Sequence, residues 1–348
     1  MNSGTNMSKL DFPVGDDALK LHRGSIVIDA LDVSRFDRAH LEKMHAGGIT
    51  AANATVAMPG ANFRQSVDAI REFDTLLEEN SDIAVPALTA ADIERAKAAG
   101  KVAIVYGFQN AVGLEGDPRL VKVFHALGVR IIQLTYMTAN VLGDGCLEPR
   151  NGGLTVFGRA VVRELNRHKI IIDLSHVGER TSLDAIEFSA TPVAISHACA
   201  KGLVNNPRNK SDELIKAVAA RGGVMGITSL PNFVCDFENG AVPTLDDYLR
   251  QIDYMVELAG IDSVGIGMDY VDGQSPNFSG TRTWGGTMVQ ANRMAVGRSV
   301  WPMPYAVPDS SQMGLVTDGL ARRGYRDEDI QKVLGLNWLR YFRMVWGG

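Results

Sequence analysis

The sequence has little cysteine and lacks long apolar runs. Its three cysteines, Cys146, Cys199 and Cys235, are widely spaced and form no CxxC pair, which argues against a disulfide framework and favours a reducing compartment. No apolar segment approaches the roughly 20 residues that a membrane-spanning helix needs. The N-terminus also lacks the charged start and apolar core of a signal peptide. We therefore expect a cytoplasmic protein with no membrane association.

Basic clusters are missing as well. The net charge is −5, and no Lys/Arg-rich run or basic stripe with interleaved aromatic residues occurs, so we expect no nucleic-acid partner. Internal repeats, heptads and low-complexity tracts are not found. A hydrophobic content of 45% over 348 residues is enough to bury a full core. Such a length suits one large barrel or two ordinary domains.

Short apolar runs alternate with amphipathic segments along the whole chain. Eight of the runs are predicted as strands, at residues 25–31, 49–57, 101–107, 130–136, 170–176, 192–197, 223–229 and 263–269. Strands that alternate with helices, with no break in composition, predict a single (β/α)8 TIM barrel over residues 1–348. An open doubly wound sheet is the alternative, but the Gly-rich first turn of that fold is missing after the first strand.

Three segments do not follow the alternation. Residues 1–24 are predicted as an N-terminal leader. The stretch 137–153 has turn residues without periodicity and is predicted as a long loop, a kind of segment that is often functional. Residues 270–305 are rich in Gly, Ser, Thr and Trp and are predicted as an irregular insertion at the barrel rim.

The fifth and sixth predicted strands both end on the dipeptide Ser-His, at His176 and His197. The other five histidines lie in the leader or on predicted helices. Because the carboxyl ends of parallel strands share one face, we expect these two imidazoles to converge where barrel enzymes place their catalytic groups. The candidate site residues are those at strand ends: Asp29, Leu31, Asn53, Thr55, Gln109, Tyr136, Asp173, His176, His197, Thr228 and Asp269.

This combination of strand-end residues favours a metal site. Neutral imidazole nitrogen is a preferred zinc ligand, and catalytic zinc usually takes three protein ligands and one water. His176 and His197 can provide two ligands, and Gln109 can offer an amide oxygen. Asp269 can ligate the metal or deprotonate a metal-bound water, whose pKa falls to roughly 7 on binding.

Several stretches of the chain resemble the membrane (renal) dipeptidase family of metallopeptidases in its bacterial form. In chain order they are GVRIIQLTY, GLTVFGRAVVRELNRHKIIIDLSHV, TPVAISHA, NNPRN, ARGGVMGI, GIGMDY and GLNWLRYF. They extend from about Lys101 to the C-terminus, and the N-terminal third is compatible with the family. The resemblance implies a (β/α)8 barrel that cleaves dipeptides at a two-zinc centre and forms homodimers.

The resemblance also implies roles for individual residues. His176 and His197 match the two histidines of one zinc site. Arg208, in NNPRN, matches the arginine that binds the substrate carboxylate, and a guanidinium fork suits that group chemically. Asp269 matches the catalytic aspartate beside the attacking water.

The other zinc site of the family is not matched. The family ends its first strand with Asp-Gly-His-X-Asp, whereas this chain reads DALDV at residues 29–33. Gln109 stands where the family has the glutamate that bridges the metals, and Tyr136 stands where it has a histidine. Asp32 is one position out of register, which on a strand turns it to the opposite face. The sequence therefore predicts at most one tightly held metal.

We expect a metal-dependent hydrolase that cleaves an amide or peptide C–N bond of a small, carboxylate-bearing, dipeptide-like substrate. One zinc ion is favoured over two, and the absence of any bound metal is the remaining alternative. The predicted roles are catalysis for Asp269 and Tyr136, substrate binding for Arg208, Asn53 and Tyr136, and metal binding for His176, His197 and Gln109. Two alternatives remain: a non-hydrolytic lyase or isomerase, and a catalytically inert protein that binds small amino acids.

Overall fold

Short parallel strands form the centre of the molecule. The computed structural model describes residues 14–274 and 303–347. In those ranges the strands are β1 (Ile28–Asp32), β2 (Ala51–Ala57), β3 (Ala84–Pro86), β4 (Val102–Phe108), β5 (Val129–Gln133), β6 (Ile171–Asp173), β7 (Ala194–Ala198), β8 (Val224–Ile227) and β9 (Val264–Ile266). Strands β1, β2 and β4 to β9 pair in that order, and β9 pairs back with β1. The result is a closed eight-stranded parallel barrel.

Helices surround this barrel. They are α1 (Asp16–Gly24), α2 (Arg38–Ala46), α3 (Phe63–Glu79), α4 (Ala90–Ala98), α5 (Leu120–Ala126), α6 (Val156–Arg167), α7 (Glu179–Phe188), α8 (Asp212–Ala220), α9 (Pro231–Val234), α10 (Leu245–Ala259), α11 (Gly314–Arg322), α12 (Asp327–Gln331) and α13 (Asn337–Trp346). Side chains cap several helix N-termini. Thr89, for example, accepts a hydrogen bond from the Asp92 backbone and forms a capping box at the start of α4. No helix of the described residues is long and apolar enough to cross a membrane.

The (β/α)8 prediction is confirmed, with one added strand. Each of the eight predicted strands corresponds to one strand of the closed ring. Strand β3 was not predicted, since its three residues are too few to show a periodic pattern. It pairs with the beginning of β4, next to the segment of β4 that pairs with β5, and so stays outside the ring.

Part of the segment predicted as a leader is folded against the barrel helices. Helix α1 packs on α11, where His22 Nδ1 lies 2.7 Å from Thr317 Oγ1 and His22 Nε2 lies 2.8 Å from the Gly47 carbonyl oxygen. The sequence analysis did not predict this helix. Residues 1–13, and residues 275–302 of the predicted rim insertion, lie outside the described residues.

The barrel interior is apolar at one end and polar at the other. At the amino end, alternate strand residues such as Ile28, Val105 and Val224 pack on Trp338 and Phe342 of α13. Trp338 is 1% exposed, as the sequence predicts for a core residue. At the carboxyl end the buried strand-end side chains are polar: Gln133, Thr135, Asp173, Ser175, Ser196, His197 and Thr228. This polar end is where the candidate site lies.

Candidate metal and substrate site

His176 and His197 converge at the polar end of the barrel. Their Nε2 atoms are 2.8 Å apart, and both side chains are buried. The ring of Tyr136 stacks on the imidazole of His176 with centroids 4.2 Å apart and an interplanar angle of 23°. The structure thus brings together the two imidazoles and the tyrosine that the sequence analysis selected.

Asp173, the last residue of β6, connects the two strand ends that carry the histidines. Its Oδ1 accepts hydrogen bonds from the backbone N–H groups of Ser175 and Ser196 at 3.0 and 2.9 Å. Its carboxyl group also accepts hydrogen bonds from the hydroxyl groups of both serines, each at 2.6 Å. Because Ser175 precedes His176 and Ser196 precedes His197, this carboxyl group fixes both imidazoles relative to the barrel.

Two buried cations hold the turn that carries His176. The guanidinium of Arg208 donates to the Ser175 carbonyl and, at 3.4 Å, to the His197 carbonyl. The Lys210 ammonium donates to the carbonyl oxygens of Leu174 and Val177 at 2.8 and 3.1 Å. The residue is 2% exposed, and burial lowers the pKa of Lys210 to about 8.

The long predicted loop packs against the same turn. The Cys146 backbone N–H donates to the carbonyl of His176 at 2.9 Å, and Gly145 pairs with Val177 in an antiparallel bridge. A side chain at Gly145 would collide with the backbone of Met137, since a Cβ there would lie 2.3 Å from it. Glycine is therefore required for the loop to reach the turn.

Asp269 follows β9 and lies beside the histidine pair. Its Oδ2 is 4.0 Å from His197 Nε2. Burial raises the pKa of Asp269 to about 7; Arg208 opposes this shift, and Asp32 and Asp173 add to it. The backbone of Asp269 has φ +59°, a left-handed conformation that is costly for a non-glycine residue and is found preferentially at functional sites.

Both histidines are held neutral. Burial lowers the pKa of His176 and of His197 well below the usual value, and the positive charge of Arg208 lowers both further. Neutral imidazole is the form that binds a metal, since its nitrogen lone pair is free. Burial and the neighbouring cations thus keep both imidazoles in the neutral form.

Arg208 is a buried cation without a carboxylate partner in the described part of the chain. Its side chain is fully buried and its Cζ lies 5.3 Å from the centre of the Phe233 ring. Its Nε is buried with no hydrogen-bond partner among the described residues. A buried guanidinium of this kind suits an anionic ligand.

The donor atoms fit one metal ion. Two nitrogen ligands of a tetrahedral zinc ion lie about 3.3 Å apart, given bonds of about 2.0–2.1 Å, so the His176–His197 pair needs a small displacement to accept one. No group of three His, Cys, Asp or Glu side chains in the described ranges is arranged to hold a metal by itself. Further ligands would have to come from Gln109, from a movement of Asp269, from water or from substrate.

The positions that match the second metal site of the resembled family hold other kinds of side chain. Leu31 and Val33, which occupy the strand-one ligand positions of the resembled family, are buried and apolar. Asp32 instead contacts helix α2, where His40 Nε2 lies 2.9 Å from Asp32 Oδ2. The Gln109 amide donates to Thr55 Oγ1 at 2.9 Å, and its role as a metal ligand stays a prediction.

The substrate-binding role of Asn53 also stays a prediction. The Asn53 amide donates to the Ala30 carbonyl at 2.8 Å, and its Oδ1 is buried with no partner in the described residues. Lys210 and Ser196 were missed by the sequence analysis. A lysine in a loop is normally solvated, and no sequence signal marks this one as buried.

A closed barrel whose rim brings together two neutral imidazoles, a carboxyl group and buried cations belongs to the class of barrel hydrolases. The model of the membrane dipeptidase family, peptidase family M19, matches residues 16–282, and the chain belongs to this family. Membership agrees with the resemblance found in the sequence. The chain is therefore a hydrolytic enzyme of a metal-dependent type.

Individual relatives agree with this assignment. A dipeptidase of Clonostachys rogersoniana, verJ, is 27% identical over 337 residues, covering 91% of this chain and 79% of the relative. The crystal structure of an amidohydrolase from Pseudomonas aeruginosa is 39% identical and superposes with a TM-score of 0.87, covering 95% of this chain and 99% of that one. A metallopeptidase from Rhodobacter sphaeroides, solved with a phosphinate mimic of the dipeptide L-Ala-D-Ala, is 19% identical with a TM-score of 0.77 over 92% of this chain and 100% of that one. At that identity it supports the fold alone.

Proposed function

We propose that this enzyme is a mononuclear hydrolase that cleaves the amide bond of a small, dipeptide-like substrate with a free carboxylate. The observation that carries the proposal is the 2.8 Å distance between His176 Nε2 and His197 Nε2. Asp269 lies beside this pair, and Arg208 forms no ion pair with a carboxyl group of the described residues. His176 and His197 would hold a zinc ion, which when bound would supply an activated water and Lewis acidity for amide hydrolysis.

Arg208 binds the substrate carboxylate in this proposal. A guanidinium has five N–H donors. Two of them are used by the Ser175 and His197 carbonyls, which leaves three for an anion. The same backbone contacts fix the direction of the guanidinium, so the carboxylate also orients the scissile bond toward the histidine pair.

Asp269 transfers a proton from the attacking water to the leaving amine in this proposal. Its pKa is about 7 in the metal-free protein, and a bound cation would lower it and so favour the carboxylate, which is the form that acts as a general base. Oδ2 takes a proton from the attacking water and returns it to the leaving amine. Tyr136 covers one face of His176 and contacts the substrate, and the unpartnered Asn53 Oδ1 accepts a substrate N–H.

The proposal includes a homodimer in the cytoplasm, acting on a small-molecule substrate. The dimer is implied by the family resemblance, and the location by the sparse cysteine content. Light scattering coupled to size exclusion measures the assembly directly: a mass of about twice the 37.6 kDa chain is expected, and a monomer would remove this part of the proposal.

Hydrolysis of a matched dipeptide library tests the proposed substrate class. Each dipeptide is assayed with zinc-loaded protein both as the free acid and as the C-terminal amide. We expect turnover of at least one free acid and little turnover of the paired amide. Equal rates on both forms contradict the carboxylate role, and saturable binding without hydrolysis points to the inert alternative. Consumption of a dipeptide in the presence of a chelator, without formation of its two free amino acids, points to the non-hydrolytic alternative.

A further inference from the structure

The hydroxyl group of Ser196 lies at the centre of a hydrogen-bonded cluster behind His197. Its Oγ is 2.6 Å from Asp173 Oδ2, 2.7 Å from His197 Nδ1 and 3.0 Å from Ser175 Oγ. A hydroxyl has one hydrogen to donate and two lone pairs to accept with. The three contacts therefore determine where the hydrogens lie.

The carboxylate takes the hydrogens of both serines. Asp173 Oδ1 is 2.6 Å from Ser175 Oγ, and Asp173 Oδ2 is 2.6 Å from Ser196 Oγ; both are the short O–H···O⁻ distances of charge-assisted bonds. If Ser196 donated to His197 instead, the contact left without a hydrogen would be the one with the carboxylate, the shortest of the three at 2.6 Å; in the arrangement chosen it is the longest, the 3.0 Å contact with Ser175 Oγ. Ser196 Oγ must accordingly accept from His197.

The proton of His197 is thus on Nδ1, and its Nε2 carries a lone pair. His176 has the opposite arrangement. Its Nε2 lies 2.8 Å from the His197 Nε2 lone pair, so a hydrogen on His176 Nε2 is needed to make that contact favourable. Its Nδ1 is buried without a partner in the described part of the chain, which gives no acceptor to a hydrogen placed there.

We propose that Asp173 and Ser196 are positioning residues that fix His197 as the Nδ1–H tautomer and so make the two histidines unequal. His197 presents a lone pair at all times and is the anchoring ligand. His176 donates to His197 in the metal-free protein and becomes a ligand only after its hydrogen moves from Nε2 to Nδ1. The proton assignment is independent of the proposed function, whereas its consequence for metal binding rests on it.

Nitrogen NMR of metal-free protein labelled with ¹⁵N-histidine tests the assignment. Protonated and unprotonated ring nitrogens have well separated shifts, and the signals are assigned with His176→Gln and His197→Gln. We expect an unprotonated Nε2 in His197 and a protonated Nε2 in His176. A protonated Nε2 in His197 overturns the proposal, and this spectrum decides the matter even if a serine variant fails to fold.

Three serine variants identify the source of the tautomer. Ser196→Ala removes the acceptor and should turn His197 into a mixture of tautomers, whereas Ser196→Thr keeps a hydroxyl and should preserve the wild-type signals. Ser182→Ala is the matched control, because Ser182 on α7 is a fully buried serine whose hydroxyl has no partner in the described ranges. Unchanged His197 signals in folded Ser196→Ala overturn the positioning role.

Zinc titration separates this proposal from the proposed function. Loss of an outer-shell partner typically lowers metal affinity about 10- to 100-fold. We expect such a loss in Ser196→Ala, and wild-type affinity in Ser196→Thr and Ser182→Ala. If the tautomers are as proposed but the wild type binds no zinc, the assignment of the protons is supported and the proposed metal site is contradicted. If zinc binds with equal affinity to Ser196→Ala and the wild type, the anchoring role of His197 is contradicted.

Discussion

At the scale of single residues, the site contains two buried cations that form no ion pair with a carboxyl group of the described residues. Arg208 and Lys210 donate to backbone carbonyls, and Arg208 has no carboxylate partner in the described part of the chain. Asp269 has a raised pKa and is only partly charged near neutrality. A substrate carboxylate therefore enters a site that favours anions, and this is the physical basis of the proposed specificity.

Replacing Arg208 with methionine should reduce discrimination between free acids and amides. Hydrogen bonds to a charged group contribute about 1.5–3 kcal/mol, which corresponds to a loss of roughly 10- to 100-fold in kcat/KM for the free acid. The rate on the amide should change much less. Arg221→Met is the control, because Arg221 also binds a backbone carbonyl, that of Ser189, but lies away from the site. An equal loss on both substrates would assign Arg208 a structural role.

Asp269 should titrate near neutrality in the metal-free protein. Burial disfavours its charged form, so the carboxyl group is protonated below about pH 7 and ionised above it. Added zinc should lower this pKa, because a nearby cation favours the carboxylate. Carbon-13 NMR of labelled aspartate follows the change, with Asp269→Asn identifying the signal. A metal-free titration near the ordinary value of about 3.9 would be inconsistent with its burial.

The principal site residues could be predicted from the sequence because strand ends are visible in it. Two Ser-His dipeptides after apolar runs place His176 and His197 on one face of a parallel barrel, whatever the details of packing. The burial of Lys210 could not be predicted, because it depends on the course of the chain after Arg208. Hydrogen positions at Ser196 depend on distances that only the three-dimensional arrangement supplies.

At the scale of structural elements, β1 is joined to α2 by a buried ion pair. Asp32 and His40 are 0% and 5% exposed, and their contact is 2.9 Å. Burial alone would lower the pKa of His40, but the charge of Asp32 and its hydrogen bond raise it overall. The displaced aspartate of the first strand thus links β1 to the helix layer.

Protonated His40 should stabilise the fold most at low pH. Its pKa is raised by folding, so the stabilisation is complete below the unfolded value of about 6.5 and is lost as pH rises through the higher folded value. The free energy of unfolding of wild type minus that of His40→Gln should therefore decrease from pH 5.5 to 8.5, by up to about 1.4 kcal/mol per unit of pKa shift. Denaturant unfolding at both pH values measures it, and a difference that increases with pH contradicts the pairing.

Two glycines allow close packing of the strands around β7. A Cβ at Gly267 would lie 1.9 Å from the Ser196 carbonyl oxygen, and one at Gly226 would lie 2.1 Å from it. Gly226 and Gly267 therefore have a steric explanation. These contacts set the position of the strand that carries Ser196 and His197.

Gly267→Ala should destabilise the protein and displace His197. Overpacking of a buried site typically costs about 1–3 kcal/mol, and backbone atoms at 1.9 Å cannot move as a flexible side chain would. Gly24→Ala is the matched control, because no atom lies within 4 Å of a Cβ built there. The midpoint temperature of thermal denaturation and the affinity for zinc should both be lower in Gly267→Ala and unchanged in Gly24→Ala. Equal stability of the two variants would contradict the close approach seen at β7.

The sequence predicts which segments form helices or strands better than it predicts where these begin and end. Thr89 and the amphipathic pattern after it locate α4, because capping and periodicity are local properties. Strand β3 has three residues and forms only because β4 offers an edge to it. Helix α1 was assigned to a leader because its packing partner, α11, lies almost 300 residues later in the chain.

At the scale of the whole molecule, the barrel of the membrane dipeptidase family is kept while one half of its polar end differs chemically. Leu31 and Val33 are buried apolar residues at positions where the resembled family has ligands, and Gln109 makes an amide hydrogen bond with Thr55. The barrel tolerates such changes, because its apolar core lies at the other end, around Trp338. Fold class was therefore predictable from alternation alone, whereas the number of metals depends on a few side chains.

Metal stoichiometry tests the central claim most directly. Native mass spectrometry of zinc-loaded protein, with elemental analysis of the same sample, gives the number of ions per chain. We predict one zinc per chain in the wild type and none in His197→Ala, with Lys201→Ala, a change at an exposed residue, retaining one. Two ions per chain in the wild type, or one ion that persists in His197→Ala, would contradict a single metal held by His176 and His197.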